Sequence, residues 1–172
     1  MPPLLLCPTR FEASHVRAVA RTRGVAMQVI GVGCGCEAAI RRVAAAHPAA
    51  STVLLVGISG ALRPQATVGQ AFLAERVIDE RGDTHLPTIT AGAARLPLVC
   101  SRDVVVGESA RAATADRTGA AMVDMESGPF ARVATELGWR WGVLRGVSDD
   151  AARELPKEVM RWLRPDGGTN WG

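Results

Sequence analysis

The amino-acid sequence predicts an α/β protein, a single-domain three-layer sandwich in which helices cover a mostly parallel or mixed central sheet. Short continuous apolar runs at residues 4–7, 25–30 and 52–56 are typical of strands that are covered on both faces. These runs alternate with segments that suit helices, and this order favours a sheet packed between helices. The length of 172 residues suits one domain with a substantial core.

The remaining elements follow in order along the chain. Their patterns predict helices at residues 11–23, 37–47, 107–117, 128–138 and 157–163, and further strands at 70–77, 96–100, 120–123 and just before 145–150. Gly24 and Gly138 are expected to end the helices that precede them. Residues 57–62 are predicted to form a glycine-rich turn, residues 79–95 a loop, and residues 164–172 a frayed tail. We therefore expect one domain spanning residues 1–172.

The composition excludes several classes of protein. Hydrophobic residues make up 48% and charged residues 22% of the chain, as in an ordinary globular protein, which excludes disorder over most of its length. The formal net charge of +3 comes from scattered arginines, so no basic stripe predicts a nucleic-acid partner. No apolar run reaches the about 18 residues of a membrane span, and no secretory leader is evident. We therefore expect a cytoplasmic protein.

Two local patterns resemble cofactor or metal motifs, and neither fits. The four cysteines lack the paired spacing of a zinc site, so we expect free thiols and no metal. The glycine-rich residues 31–36 follow a strand, but Cys36 stands where a dinucleotide fingerprint has its third glycine. Residues 51–56 also lack the acidic residue of that fingerprint. We therefore expect no nicotinamide or flavin cofactor.

Two acidic stretches near the carboxyl terminus predict the active site. Residues 123–127 (VDMES) and 145–150 (RGVSDD) each end an apolar or small-residue run with carboxylates, and a predicted helix separates them. In such a strand, helix, strand unit the two strands are parallel, so Glu126 and Asp149 are expected to open on one edge of the sheet. Glu12 is expected in the first turn of a helix that starts beside the end of the first strand.

These stretches resemble the nucleoside phosphorylase and nucleosidase superfamily. The resemblance rests on Met125-Glu126, on residues 145–150, on residues 56–62 (VGISGAL), on residues 33–35 (GCG) before an alanine-rich helix, and on residues 4–6 leading to Phe11-Glu12. It spans nearly the whole chain in the same order. The superfamily includes purine nucleoside phosphorylases, methylthioadenosine/S-adenosylhomocysteine nucleosidases and hopanoid-associated phosphorylases, and the last branch is the most similar.

The resemblance implies a role for each matching residue. Asp149, with Ser148 beside it, resembles the acid that protonates the purine leaving group, and Glu12 resembles the carboxylate that positions the attacking water. Glu126 resembles the carboxylate that binds the ribose hydroxyls, and Met125 the residue that packs against the sugar. The resemblance also places Ser59, Gly60, Val105 and Val106 among the residues that bind the substrate. It implies a small-molecule nucleoside, no cofactor other than phosphate as a co-substrate of phosphorolysis, and a homodimer or larger homo-oligomer.

The chain departs from the superfamily pattern at three places. Leu55 and Ile58 stand where phosphorylases place an arginine and a serine for phosphate, which favours hydrolysis unless Arg10 supplies an anion site. Val105 stands where an aromatic side chain often packs on the purine, so the base is left open. Residues 79–95 are shorter than the usual insertion, which predicts a more open site that accepts a bulky or lipid-linked 5′ substituent.

Each acidic residue also has a purely structural explanation. Glu126 is explained by a carboxylate at a helix amino terminus, Asp149 and Asp150 by a helix N-cap, and Glu12 by a solvated first-turn residue. Met125 on its own is more typical of a core. The short segment 79–95 and the missing phosphate residues leave a second class of function open, a relative that binds a nucleoside or a partner without turnover.

Overall fold

The computed structural model describes residues 3–150, which form an α/β fold with a mixed central sheet, as predicted. Within these residues there are eight strands, four α-helices and one 3₁₀ turn. Their bounds are β1 Leu4–Cys7, α1 Arg10–Thr22, β2 Ala26–Val29, the 3₁₀ turn Cys34–Cys36, α2 Glu37–Ala46, β3 Thr52–Ala61, β4 Ala71–Ile78, β5 Thr84–His85, β6 Arg95–Cys100, α3 Glu108–Thr118, β7 Met122–Asp124, α4 Ser127–Glu136 and β8 Arg140–Asp149. The predicted helix at 157–163 and the predicted tail at 164–172 lie outside the described residues.

Strand β3 is the centre of the sheet because three strands pair with it. It runs parallel to β1 and β8 and antiparallel to β7. Strand β8 continues to β4, β4 to β6, and β6 back to β7, so β3, β8, β4, β6 and β7 close a ring. The pairs β1 with β2, β4 with β6 and β6 with β7 are parallel, which makes the sheet mixed. None of the helices in residues 3–150 is long and apolar enough to span a bilayer.

The core forms where α2 and α4 cover the sheet. Strand residues such as Leu6, Val53 and Leu55 are fully buried, as is the inner face of α4. Phe130 of α4 meets Trp141 of β8 edge to face, with 5.8 Å between ring centroids. Trp139 is also buried, so in the described chain these two tryptophans form the core rather than an assembly surface. Trp162 lies beyond the described residues.

The predicted turn at residues 57–62 is wrong over most of its length. Strand β3 continues for ten residues to Ala61, because β8 pairs with one edge of it as far as Gly60 and β7 pairs with the other edge at Gly60 and Ala61. A β-bulge between Ser59 and Gly60 then brings Gly60 opposite Asp149. Short-range glycine signals predict a turn, but paired edges on both sides satisfy the backbone of an extended strand.

The segment 79–95 is more ordered than the loop predicted for it. It contains the short strand β5, which pairs with β4. The Thr88 hydroxyl accepts a hydrogen bond from the Trp141 amide at 2.8 Å, and the Thr88 amide donates to the Trp141 carbonyl at 2.9 Å. Trp141 lies at the start of β8 and Asp149 at its end. The segment therefore packs near the end of β8 that is remote from Asp149, and it does not cover that residue.

Candidate active site

Glu12 is held at the amino terminus of α1 by a capping box. Its Oε2 accepts hydrogen bonds from the Thr9 amide at 2.8 Å and the Thr9 hydroxyl at 2.6 Å, while the Glu12 amide donates to Thr9 Oγ1 at 3.1 Å. Its Oε1 accepts a hydrogen bond from the Ile58 amide of β3 at 2.9 Å. Glu12 is buried, so the structural explanation as a solvated first-turn residue is wrong. A carboxylate has about four acceptor sites, which leaves capacity for one further donor.

Arg145 of β8 is the cation of this part of the site. Its side chain is 0% exposed, and it binds Asp124 Oδ2 through Nε at 2.8 Å and Nη2 at 2.5 Å. Its Nη2 also lies 3.5 Å from Glu126 Oε2. Burial lowers the pKa of Arg145, but the charges of Asp124, Glu126 and Glu12 outweigh it and raise that pKa. One buried guanidinium therefore faces three carboxylates, and its single positive charge offsets only part of theirs.

Glu126 points away from the helix that it precedes. It is the N-cap residue of α4, yet its side chain makes no cap hydrogen bond. Its Oε1 instead accepts a hydrogen bond from the Gly33 amide at 2.7 Å, and Asp124 binds the Ser127 amide and hydroxyl at the start of α4. A helix-terminus role alone therefore does not explain Glu126. Burial raises the pKa of Glu126 to about 7, with Arg145 opposing and Asp124 adding to the increase.

Glu126→Gln is expected to lower kcat/KM for a nucleoside by about 10- to 100-fold, since a hydrogen bond to a charged group contributes about 1.5–3 kcal/mol.

The same variant should also change how the stability of the protein depends on pH. Between about pH 4.5 and pH 7 the folded protein keeps the Glu126 proton that the unfolded chain has released, so wild type loses stability as pH rises through this window. The variant lacks this titration.

Denaturant unfolding from pH 4 to pH 8 measures that difference. The stability of Glu126→Gln relative to wild type should increase through the window. Glu75→Gln, an exposed carboxylate of β4, is the matched control and should show no such trend. A flat difference for Glu126→Gln would contradict the raised pKa of Glu126.

Asp149 lies at the end of β8 in a second group of polar residues. It forms an ion pair with the buried Arg111 of α3, and its Oδ1 is 2.6 Å from the Ser148 hydroxyl. The Ser148 hydroxyl is also 3.1 Å from the Ser59 carbonyl. A carboxyl group holds a proton near neutral pH only when it is partly desolvated or lies close to another carboxylate. The direct ionic partner of Asp149 in the described chain is Arg111.

The two groups lie along the carboxyl-terminal half of β3. Arg145 pairs with Gly57 in register, and Asp149 pairs with Gly60. Gly60 lies three residues after Gly57 along the strand, or roughly 10 Å away. A Cβ atom at Gly57 would touch Glu12 and Arg145, while one at Gly60 would lie 3.2 Å from Asp149 Oδ2. Glu126, through Arg145, and Asp149 therefore both lie along the carboxyl-terminal half of β3.

The predicted reason for this convergence is wrong. Strand β7 runs antiparallel to β3 and β8 runs parallel to it, so β7 and β8 point in opposite directions. Glu126 reaches the site because β7 pairs with the very end of β3 and then continues back along it. The rule that a strand, helix, strand unit gives parallel strands applies when both strands join one parallel sheet. Here β7 pairs parallel to β6 and antiparallel to β3, so it does not join the parallel part of the sheet that contains β8.

Gly57→Ala is expected to abolish most activity because the new methyl group would overlap Arg145 Nη1 and Glu12 Oε1 and lie 3.2 Å from Pro8 Cδ. Both charged groups would have to move, and displacements of about 1 Å at such sites cost about 10²-fold in rate. Gly146→Ala on the neighbouring strand is the control, since its methyl group would meet no atom within 4 Å. Steady-state kinetics of the two purified variants measures the contrast, and equal activities would argue against this packing.

The other predicted substrate-binding residues surround these groups to different degrees. Met125 is half-buried, and its Cε would lie 3.8 Å from a Cβ at Gly33, so it is not a simple core residue. Ser59 is buried, and its hydroxyl has no hydrogen-bond partner in the described chain. Val105 is half-buried against a small cluster beside α3, whereas Val106 is exposed. The substrate-binding roles of these residues stay predictions.

Sequence reasoning gave no role to several residues that organise the site. Asp124 and Arg145 stand inside the acidic stretches, and an arginine within an apolar strand is a usable signal of a buried ion pair. The spacing Thr9-x-x-Glu12 is that of a capping box, which also could have been found. Arg111 carries no such signal, because its partners are 38 residues or more away, apart from the Val105 carbonyl.

One group of described side chains offers donors to a metal ion. The donor atoms of Cys34, Glu80 and Cys100 lie within 4.8 Å of one another. Glu80 is already ion-paired with Arg132 at 2.8 Å. The hydrogen bond between Cys34 and Cys100 lowers the pKa of Cys34 and raises the pKa of Cys100. Burial raises the pKa of Cys100 further. The four cysteines are free thiols, and all except Cys34 are buried.

A groove of about 490 Å³ lies elsewhere, at the carboxyl-terminal ends of α2 and α4. It is lined by residues such as Arg41, His47, Leu137 and Trp139, and its described lining contains no carboxylate. This groove therefore shares no residue with the acidic site.

The fold and site together define an α/β protein in which buried carboxylates and arginines converge on one half of the central strand. Comparison with known proteins agrees with this class. The family model described as the Phosphorylase superfamily matches residues 94–166. Comparison with curated protein sequences gave no match.

Solved structures of nucleosidases share the fold. The native structure of futalosine hydrolase from Helicobacter pylori strain 26695 is similar with a TM-score of 0.80 at 12% identity, covering 97% of this chain and 92% of that chain. The MTA/SAH nucleosidase of Streptococcus pneumoniae, solved in complex with 8-aminoadenine, gives 0.78 at 15% identity, with 97% and 94% covered. The 5′-methylthioadenosine/S-adenosyl homocysteine nucleosidase of Campylobacter jejuni gives 0.76 at 13%, with 94% and 91% covered. The match of the family model over residues 94–166 agrees with the resemblance to the nucleoside phosphorylase and nucleosidase superfamily, and at these identities the similar structures establish the fold alone.

Proposed function

We propose that this protein cleaves the N-ribosidic bond of a purine nucleoside of the adenine type and releases the base by hydrolysis. The observation that carries the proposal is the pair of polar groups along β3, with buried Glu12 and Arg145 at Gly57, Glu126 beside Arg145, and half-buried Asp149 at Gly60. Cleavage of this bond develops positive charge on the sugar and negative charge on the base. An anionic group and a proton donor at opposite ends of one site suit that charge separation.

Each carboxylate takes one part of the reaction. Asp149, steadied by Ser148, donates a proton to the purine as the bond to the sugar breaks. Glu126 accepts hydrogen bonds from the ribose hydroxyls, and Met125 packs against the sugar. Glu12 orients the attacking water through its remaining acceptor capacity, since three protein donors already fix its carboxylate. Ser59, Gly60, Val105 and Val106 complete the site.

Hydrolysis is favoured over phosphorolysis by the residues at the expected phosphate positions. Leu55 is fully buried in the core, and Ile58 is apolar, so neither offers a charge or a donor to phosphate from its side chain. Arg10 is exposed at the first position of α1. Solved neighbours named as nucleosidases and as a futalosine hydrolase support the same choice.

Release of free adenine from adenosine and from methylthioadenosine, measured with and without phosphate, tests the proposal. Release without phosphate is the expected result. A strict phosphate requirement would contradict hydrolysis and indicate a phosphorylase. Binding of nucleoside without release of base would favour the alternative of a relative without turnover.

We also propose that the substrate carries a bulky or lipid-linked 5′ substituent. Phe11 precedes Glu12 in the chain, the Ile58 amide donates to Glu12 Oε1, and the two apolar residues expose 48% and 46% of their surface. Exposed apolar side chains beside a polar site fit an apolar extension of the ligand. Hydrolysis of adenosine, methylthioadenosine and a 5′-alkyl nucleoside should show the highest kcat/KM for the alkyl compound, and a clear preference for the small nucleosides would contradict this.

The similarity to the hopanoid-associated branch stays a prediction. So do the single domain over residues 1–172, the cytoplasmic location and the homodimer or larger homo-oligomer. Sedimentation of the purified protein tests the assembly.

A further inference from the structure

Arg111 is a fully engaged arginine at the Asp149 end of the site. Its residue is 1% exposed although it lies on α3, whose other arginine, Arg117, is exposed. Its Nη2 binds the Asp149 carboxylate, and its Nη1 donates to the Ala61 carbonyl at 3.1 Å and the Asp150 carbonyl at 2.9 Å. Its Nε donates to the Val105 carbonyl at 3.2 Å. One guanidinium thus joins the ends of β3 and β8 to the segment before α3.

Burial of a guanidinium has a large desolvation penalty, so a buried arginine needs a compensating partner. A buried charge is tolerated when an opposite charge and further hydrogen bonds satisfy it. Asp149 is the acidic partner of Arg111 in the described chain, and three backbone carbonyls accept hydrogen bonds from Arg111 Nε and Nη1. The planar fork of arginine suits several acceptors at fixed angles, which a lysine cannot reproduce.

The two oxygens of Asp149 are consequently held from both sides. Arg111 binds Oδ2, and the Ser148 hydroxyl lies 2.6 Å from Oδ1. A carboxyl group held at both oxygens cannot rotate freely, so its orientation toward a bound base is set before the substrate arrives. Orientation of a catalytic group in advance is a large part of its rate effect.

We propose that Arg111 is a positioning residue that orients the Asp149 carboxyl group toward the leaving base, an inference that rests on the proposed nucleosidase function. Arg111 acts through Asp149 and does not itself contact the substrate. Its hydrogen bond to the Val105 carbonyl also ties Asp149 to the segment that carries Val105 and Val106, the proposed contacts of the base.

A kinetic double-mutant cycle tests this inference. Arg111→Met is expected to lower kcat for adenine release by about 10²-fold with little change in KM, because a misplaced acid affects the bond-breaking step. In the Asp149→Asn background the same substitution should have almost no further effect on kcat, since there is no acid left to position. Arg111→Lys should recover part of the loss only when Asp149 is present. Arg117→Met on the same helix is the control and should keep the wild-type rate.

The outcomes separate the inference from the function on which it rests. If wild type releases no base, or if Asp149→Asn is as fast as wild type, the proposed function or its acid fails, and the inference fails with it. If Asp149→Asn is slow and Arg111→Met multiplies the loss in both backgrounds, only the inference fails, and Arg111 is a structural tie. If Arg111→Met does not fold, the same cycle with Arg111→Lys decides between these two results.

Discussion

Asp149→Asn is expected to lower kcat for release of adenine by about 10²- to 10⁴-fold, which is the usual contribution of a general acid. An amide matches the shape of the carboxyl group and can still accept a hydrogen bond from Arg111, so the position of the side chain should be kept. It cannot supply a carboxyl proton to the base. The loss should therefore appear in kcat, with unfolding close to that of wild type.

The exposed Asp116 provides the matched control for this experiment. Asp116→Asn removes a carboxylate that pairs with Arg63 on the surface and should leave the rate unchanged. An Asp149→Asn enzyme that cleaves a proven substrate as fast as wild type would refute the assignment of the acid. The assignment of Glu126 and Glu12 would then need another proton donor.

Arg145→Met is expected to destabilise the protein by about 3–5 kcal/mol, since removing one partner of a buried ion pair leaves uncompensated charge. Three carboxylates depend on this guanidinium, and Arg145 opposes the increase in the pKa of Glu126. The pKa of Glu126 should therefore rise further in the variant. The loss of stability relative to wild type should therefore be largest well above pH 7 and should shrink as pH falls toward about 7, because Glu126 of the variant takes up its proton at a higher pH than Glu126 of wild type.

Denaturant unfolding of Arg145→Met across this pH range measures the effect. Arg63→Met removes an arginine whose ion pair is exposed, and such pairs contribute about 0–1 kcal/mol. An Arg145→Met variant with the stability of Arg63→Met would show that Arg145 does not compensate the carboxylates. Activity should be lost together with stability, because Glu126 would favour its protonated form.

The positions of helices were predicted correctly where the sequence signal is local. The helix predicted at 11–23 is α1, Arg10–Thr22, since Thr9 and Glu12 cap its start. The helix predicted at 107–117 is α3, Glu108–Thr118, and Gly119 ends it with a positive φ of 67°. Each signal lies within four residues of the backbone that it controls, so neighbouring residues in the sequence are enough to read it.

Sequence reasoning singled out the acidic residues of the candidate site and missed the arginines that pair with them. Glu12, Glu126 and Asp149 follow from the positions of carboxylates at the ends of apolar runs together with the family resemblance. Arg111 and Arg145 find their carboxylates across 38 and 21 residues, and only the folded chain brings them together. The direction of β7 was likewise missed, because the strand that pairs with it lies about 60 residues earlier in the chain.

By itself, the sequence determined the α/β class, most helices and strands, and the three acidic residues on which the proposed chemistry depends. The tertiary structure decided that β3 continues through its glycines, that β7 runs against it, and that each acidic group has a buried arginine. The physical reason is that helix caps and apolar periodicity act between near neighbours, whereas strand pairing and the compensation of buried charge depend on residues that are adjacent only after folding.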